Sequence, residues 1–137
     1  MEHDVSWLID RAEIRELTAR YGRLFDDGDA EEFAKTFTED GRMEVVGGPT
    51  SVGREGLTDM CKHTPWGTMH VTVDATVEVE EDKAIQVVTI LVVSRPATQK
   101  ETPKLVGTGR YVDDLVRTPD GWRFSRRRVT LDGWQPK

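Results

Sequence analysis

From residue 68 to residue 131 the chain carries almost nothing but strand pattern, and that run decides what it can fold into. From Val71 onward, residues 68–80 alternate apolar and polar. Val71, Val73, Ala75, Val77 and Val79 fall on one face, and His70, Thr72, Asp74, Thr76 and Glu78 on the other. Glu81-Asp82 reads as a hairpin turn. Residues 84–93 are nearly continuous apolar sequence, which predicts a central strand buried on both faces. Residues 95–104 are polar, contain two prolines and form the longest expected loop. In the strand over 105–117, Gly107 and Gly109 predict a bulge or sharp curvature. Thr118-Pro-Asp-Gly121 is a turn, residues 122–131 are the last strand, and the tail beyond is expected to be loose.

The first half follows a helical period. Ile14, Leu17, Tyr21, Leu24 and Phe25 give one long helix an apolar stripe. Ser6 or Asp10 opens it, the latter with Glu13 in the spacing of a capping box. Asp29 and Glu32 repeat that spacing before a second helix, with Phe33 and Phe37 one turn apart on its buried face. Residues 38–41 are a turn and 42–46 a short strand with Met43 and Val45 on one side. Gly47-Gly48-Pro49 breaks it. Residues 54–62 are a third helix presenting Leu57, Met60 and Cys61, and a loop through Pro65 and Trp66 leads to the strands.

Helices placed early and long antiparallel strands placed late define an α+β domain. Three helices covering one face of a curved antiparallel sheet leave a cone, whose mouth suits a small-molecule pocket. With 137 residues, one domain over 1–137 is expected. The strands are apolar on both faces: Val71, Val73, Val87 and Leu91 compete with Val88, Ile90 and Val92 for the interior. A homodimer or homotrimer formed through the outer sheet face is therefore expected.

A net charge of −6 disfavours nucleic acid and anionic membranes as partners. No apolar run approaches membrane-spanning length, and the N-terminus lacks a signal-peptide pattern. The single cysteine, Cys61, permits no internal disulfide and fits a reducing cytoplasm; on its helix face it reads as an inert buried thiol. His3, His63 and His70 have no metal-ligand spacing, so neither metal nor cofactor is expected. Phosphate loops and nucleophile elbows are absent. Arg126, Arg127 and Arg128 lie on a strand whose alternation sends them to opposite faces, as in a solvated or ion-paired strand.

Three residues could carry chemistry. Tyr21 lies within the apolar stripe, and a buried phenol needs a hydrogen-bond partner. Asp26 is a solvated end-of-helix residue by helical phase, and turns inward only if the helix breaks at Asp26-Asp27-Gly28-Asp29. Asp29 is explained by capping. His70 opens the first long strand: on an outer face it is an ordinary surface histidine, and on an inner face it is an imidazole suited to proton transfer.

The segments EIRELTARYGRLFDDGDAEEFAKTFTEDG, MHVTVDATVEVEEDKA and GTGRYVDDLVRTPDGWRFSRRRV together resemble the SnoaL-like domains of the nuclear-transport-factor-like superfamily. The resemblance covers almost the whole chain and implies a cone of bent antiparallel sheet closed by helices, usually assembled as dimers or trimers. Relatives such as scytalone dehydratase and bile acid 7α-dehydratase use an aspartate ending the first helix and a histidine opening the first long strand. Asp26 and His70 match those positions, and Tyr21 matches a tyrosine of the bile acid enzyme. A second strand histidine has no counterpart, because residues 84–131 contain none. The resemblance implies a small cofactor-independent lyase or isomerase, dehydratase-like, acting on an apolar ring-containing carbonyl compound such as a polyketide or steroid. His70 would be base and acid, Asp26 would orient it, and Tyr21 would donate to the substrate oxygen. The alternative is a non-catalytic small-molecule-binding or assembly module of the same fold.

Overall fold

The structure is a computed structural model that describes residues 3–64 and 67–133. Pro65 and Trp66 of the expected loop, and residues 134–137 of the expected tail, lie outside these. Helix α1 runs Val5–Asp27. Neither Ser6 nor Asp10 opens it: Asp4 is the N-cap, accepting from Trp7 N at 3.2 Å. Ser6 only donates to Asp4, and Asp10 is buried inside the helix. Gly28 ends it in the left-handed conformation at φ 80°, its N–H reaching the carbonyls of Leu24 and Phe25. Helix α2 is Ala30–Ala34, with Asp29 at the cap position but making no side-chain capping bond.

Strand β1 spans Phe37–Val45, β2 Thr50–Val52, and helix α3 Gly53–His63. Phe37 therefore starts a strand rather than sharing a helix face with Phe33. The turn expected at 38–41 is an irregularity inside β1, where the register slips between Phe37 and Arg42. The rest is β3 Thr68–Glu80, β4 Lys83–Ser94, β5 Leu105–Thr118 and β6 Gly121–Asp132. The expected bulge near Gly107 is present as a register shift between Val92 and Val93.

The six strands form one sheet in the order β2-β1-β6-β5-β4-β3. It is curved and covered by the helices, and it is open, with β2 and β3 as edges. One pair departs from the antiparallel expectation: β1 runs parallel to β6. Short turns join β3 to β4 and β5 to β6, and the loop 95–104 returns β4 to β5, so these strands run antiparallel, whereas β1 reaches β6 from the helical half with no hairpin between them.

The helices cover one face only, and β4 shows the consequence. Ala84, Gln86, Val88, Ile90, Val92 and Ser94 are buried, while the residues between them are half-buried or exposed, Ile85 by 48%. The two-sided burial expected of residues 84–93 is thus not found in the chain. No helix among the described residues is long and apolar enough to cross a membrane.

Candidate active site

Asp26 faces inward because of the ridge it belongs to. The buried residues of α1 include Asp10, Ile14, Thr18, Gly22 and Asp26, each four after the last, with Leu17 and Tyr21 beside them. Successive rungs of such a ladder drift by about 40°, so the ridge winds round the helix and its two ends meet different strands: Asp10 bonds Arg117 of β5 and Trp122 of β6, and Asp26 bonds His70 of β3. Only Ile14 among the five rungs is apolar, which is why a search for apolar spacing placed Asp26 outside. Helix α1 need not kink; it ends one residue later, at Asp27. At Gly22 a Cβ would lie 3.8 Å from the His70 carbonyl oxygen, an ordinary contact distance, so β3 passes close to the helix there.

His70 faces inward because β3 does not alternate cleanly. Val73 pairs with Thr89, and the next pair is Thr76 with Val87. β3 thus uses three residues where β4 uses two, with Asp74 at φ 55°. This bulge inverts the parity of the strand. His70 and Thr72, opposite Val92 and Ile90, face the core before it, and Val77 and Val79, opposite Gln86 and Ala84, face the core after it. Aspartate is among the few side chains that tolerate such a backbone.

Ridge and bulge bring the two residues together. Asp26 Oδ2 accepts from the His70 backbone N–H at 2.8 Å, and Oδ1 lies 2.6 Å from His70 Nδ1. The side chains are 4% and 13% exposed. A carboxylate only accepts, so Nδ1 carries the hydrogen, and in the neutral imidazole it is Nε2 that holds the lone pair. Nε2 has no hydrogen-bond partner among the described residues. Phe25 packs its ring against the imidazole, centroids 5.0 Å apart at 81°. Arg95, just after β4, holds the helix end: Nη1 donates to the Asp26 carbonyl and Nη2 to Asp27 Oδ1, both at 3.1 Å. Its position in a polar loop gave no signal of this role.

Tyr21 is not bonded to either. It is 2% exposed and its hydroxyl donates to Met43 Sδ at 3.6 Å. Burial, then the neighbouring Tyr111, pushes its pKa well above the usual phenol value, so it stays protonated and keeps its hydrogen to donate. Phe25 links it to His70, the Tyr21 and Phe25 rings lying near-parallel with centroids 6.4 Å apart. On its other side is Arg127, the middle of the arginine run. As alternation requires, Arg126 turns outward to Glu44 Oε2 at 2.8 Å, and Arg127 turns inward. Arg127 Nε and Nη2 bond Asp113 Oδ1 and Oδ2 at 2.8 and 3.1 Å, both residues fully buried. Burial pushes the Asp113 carboxyl up, opposed by the Arg127 charge and by hydrogen bonds from Gln86 and Arg127.

An open cavity of about 1030 Å³ lies at the other end of α1, where Trp7 faces Val77, Val79, Ala84 and Leu115; neither Asp26 nor His70 lines it. Among the described residues no three His, Cys, Asp or Glu side chains converge as a metal site. Cys61 is buried, and desolvation pushes its thiol up to about 11, which keeps it protonated and unreactive.

N-terminal helices packed on one face of a curved, open six-stranded sheet define a class of small α+β domains. The chain belongs to the SnoaL-like domain family, whose family model matches residues 7–128. It is similar to an NTF2-like protein with a cystatin-like fold from Novosphingobium aromaticivorans: 33% identity, 96% of this chain and 92% of that one, TM-score 0.81. It is similar also to Rv3472 from Mycobacterium tuberculosis, described as of unknown function: 32% identity, 93% and 74% coverage, TM-score 0.82. A candidate scytalone dehydratase from Novosphingobium aromaticivorans DSM 12444 shares the fold at 20% identity, with 95% and 91% coverage and TM-score 0.77. No curated protein matches the chain.

Proposed function

We propose that the protein is a cofactor-independent lyase or isomerase, dehydratase-like, that works by proton transfer on an apolar ring-containing carbonyl compound such as a polyketide or steroid. The observation that carries this reading is the Asp26–His70 pair: the carboxylate fixes Nδ1–H and leaves a lone pair on a largely buried imidazole. Nε2 removes a proton from the carbon beside the carbonyl, and the electron pair moves into an enolate. The proton then returns to another carbon, which is isomerisation, or goes to a departing hydroxyl, which releases water. Tyr21, held neutral by burial, serves as donor to the substrate oxygen once it leaves the weak Met43 acceptor. Asp26 orients the base.

The working form is a homodimer or homotrimer in the cytoplasm, joined through the outer sheet face, where Val73 and Ile85 are exposed. Neither nucleic acid nor membrane is a partner, and the reaction needs neither metal nor cofactor.

One observation favours the second reading, a small-molecule-binding or assembly module without turnover: the 1030 Å³ cavity is lined by neither Asp26 nor His70. The deciding experiment is deuterium exchange beside the carbonyl of a panel of cyclic ketones in D2O, followed by NMR. Exchange by the wild type that drops about 10²–10⁴-fold in His70→Ala supports the enzyme. Exchange unchanged in His70→Ala, or none with any ketone, favours the binding module.

A further inference from the structure

Arg95 is bonded to both elements that carry the Asp26–His70 pair. It stands at the exit of β4, and its backbone N–H donates to the Gly67 carbonyl at 2.7 Å. That bond extends the β3–β4 ladder past Thr68 and Ser94, beside the start of the strand that carries His70. The Arg95 side chain reaches α1, where Nη1 donates to the Asp26 carbonyl and Nη2 to Asp27 Oδ1, each at 3.1 Å. The Asp26 carboxylate in turn holds the His70 backbone N–H and Nδ1. A closed circuit results: from Arg95 to Gly67, along the chain to His70, across to Asp26, and back to Arg95.

The end of α1 needs such a partner. Gly28 N–H serves the carbonyls of Leu24 and Phe25, and Asp29 N–H also returns to Leu24. Ala30 N–H, which continued helix would give to the Asp26 carbonyl, bonds Gly28 instead. The Asp26 carbonyl therefore takes its donor from outside the helix. The last turn holds no basic residue, and residues 26, 27 and 29 are all aspartate, so the cation at this negative end comes from another element. We infer that Arg95 is a positioning residue for His70: by fixing the Asp26 backbone against the start of β3, it keeps the carboxylate in line with Nδ1 and so sets the direction of Nε2. The inference rests on the reading of His70 as the base. The Arg95–Asp27 ion pair itself is exposed, its side chains by 46% and 63%, and exposed pairs add little to stability. Geometry matters more, since a misplacement of about 1 Å costs about 10²-fold in rate. A guanidinium spans two acceptors in a fixed fork, which an ammonium does not.

The test compares Arg95→Met, Arg95→Lys and Asp27→Ala with the wild type in the full chain. The first readout needs no substrate: it is NMR of the His70 Nδ1 proton. In Arg95→Met this proton should move upfield and exchange with water about tenfold faster, as the loss of one net hydrogen bond gives, while the urea midpoint stays near wild type. The second readout is ketone exchange, where kcat should fall about 10–10²-fold with KM unchanged. Arg95→Lys keeps the charge without the fork and should recover only part of either loss. Asp27→Ala removes the ion pair but keeps the bond to the Asp26 carbonyl, and should match the wild type in both. Should Arg95→Met fail to fold, Arg95→Lys decides by whether its Nδ1 proton is displaced. An unmoved Nδ1 proton, full recovery in Arg95→Lys, or an Asp27→Ala loss as large as that of Arg95→Met would overturn the inference. Ketone exchange that still depends on His70 would then leave the proposed function standing. A displaced Nδ1 proton in a protein that exchanges no ketone would uphold the positioning and remove the enzyme.

Discussion

Helix α1 carries a buried aspartate near each end of one ridge, and the two are used differently. Asp10 meets Arg117, whose Nη1 and Nη2 donate to its two oxygens at 2.6 and 2.9 Å, with Trp122 Nε1 adding a third bond at 3.1 Å. Arg117 also reaches Asp82 and the Glu81 carbonyl, tying the β3–β4 turn to the helix. Asp26 meets a backbone N–H and an imidazole. Both carboxylates are nearly fully desolvated and fully bonded. The difference lies in the partner: a guanidinium never gives up its proton, so the Asp10 end can only be a fastening, whereas an imidazole can both take and give one, so the Asp26 end can move a proton.

The comparison breaks most severely if the bulge is removed. Deleting Asp74 restores plain alternation to β3 and puts either His70 or Val77 on the wrong face, so ketone exchange should fall at least as far as in His70→Ala, with a lowered melting temperature. Activity retained in the deletion would mean that the bulge does not place the histidine. His70→Ala and Asp26→Asn should each lower exchange about 10²–10⁴-fold with the fold intact by circular dichroism. At the other end the balance reverses. Asp10→Ala should cost about 2–3 kcal/mol in urea unfolding, because it strips charged hydrogen bonds from Arg117 and Trp122, while leaving the exchange rate of the folded protein close to wild type.

The Asp10 end also has a pH signature. Hydrogen bonds from Arg117 hold this carboxyl below its ordinary value of 3.8. A depressed pKa stabilises the fold above the unfolded value and loses that stabilisation as pH falls through the folded one. The stability gap between wild type and Asp10→Asn should therefore be complete above pH 3.8 and close in stronger acid. A gap that widens in acid would contradict the ion pair. The smallest effect is expected midway along the ridge. Ala at Gly22 meets only an ordinary contact with the His70 carbonyl, so helix propensity should win and stabilise by about 0.5–1 kcal/mol. A destabilised Gly22→Ala would mean that β3 needs bare backbone there.

These contrasts also mark what could be read from the chain. Element order gave the α+β cone, because long strand patterns and one amphipathic helix are collective signals. Sidedness was less legible. Strand alternation left His70 on a polar face because a bulge of one residue leaves no mark in polarity; Asp74 in a run of valines was its only trace. Residues 84–93 looked buried on both sides because Val87, Leu91 and Val93 are apolar, yet the helices cover only the other face. Asp10, Asp113, Gln86 and Arg127 were missed as buried groups because each is polar and its partner lies on a distant element.

The central claim is that Asp26 fixes the His70 imidazole with hydrogen on Nδ1 and a free lone pair on Nε2. Nitrogen-15 NMR of the histidine side chains tests it directly, since the two ring nitrogens of a neutral imidazole resonate apart according to which is protonated. The prediction is a neutral His70 in the Nδ1–H form, with a slowly exchanging, strongly deshielded Nδ1 proton that disappears in Asp26→Asn. A neutral His70 in the Nε2–H form, or a spectrum unchanged by Asp26→Asn, would contradict it.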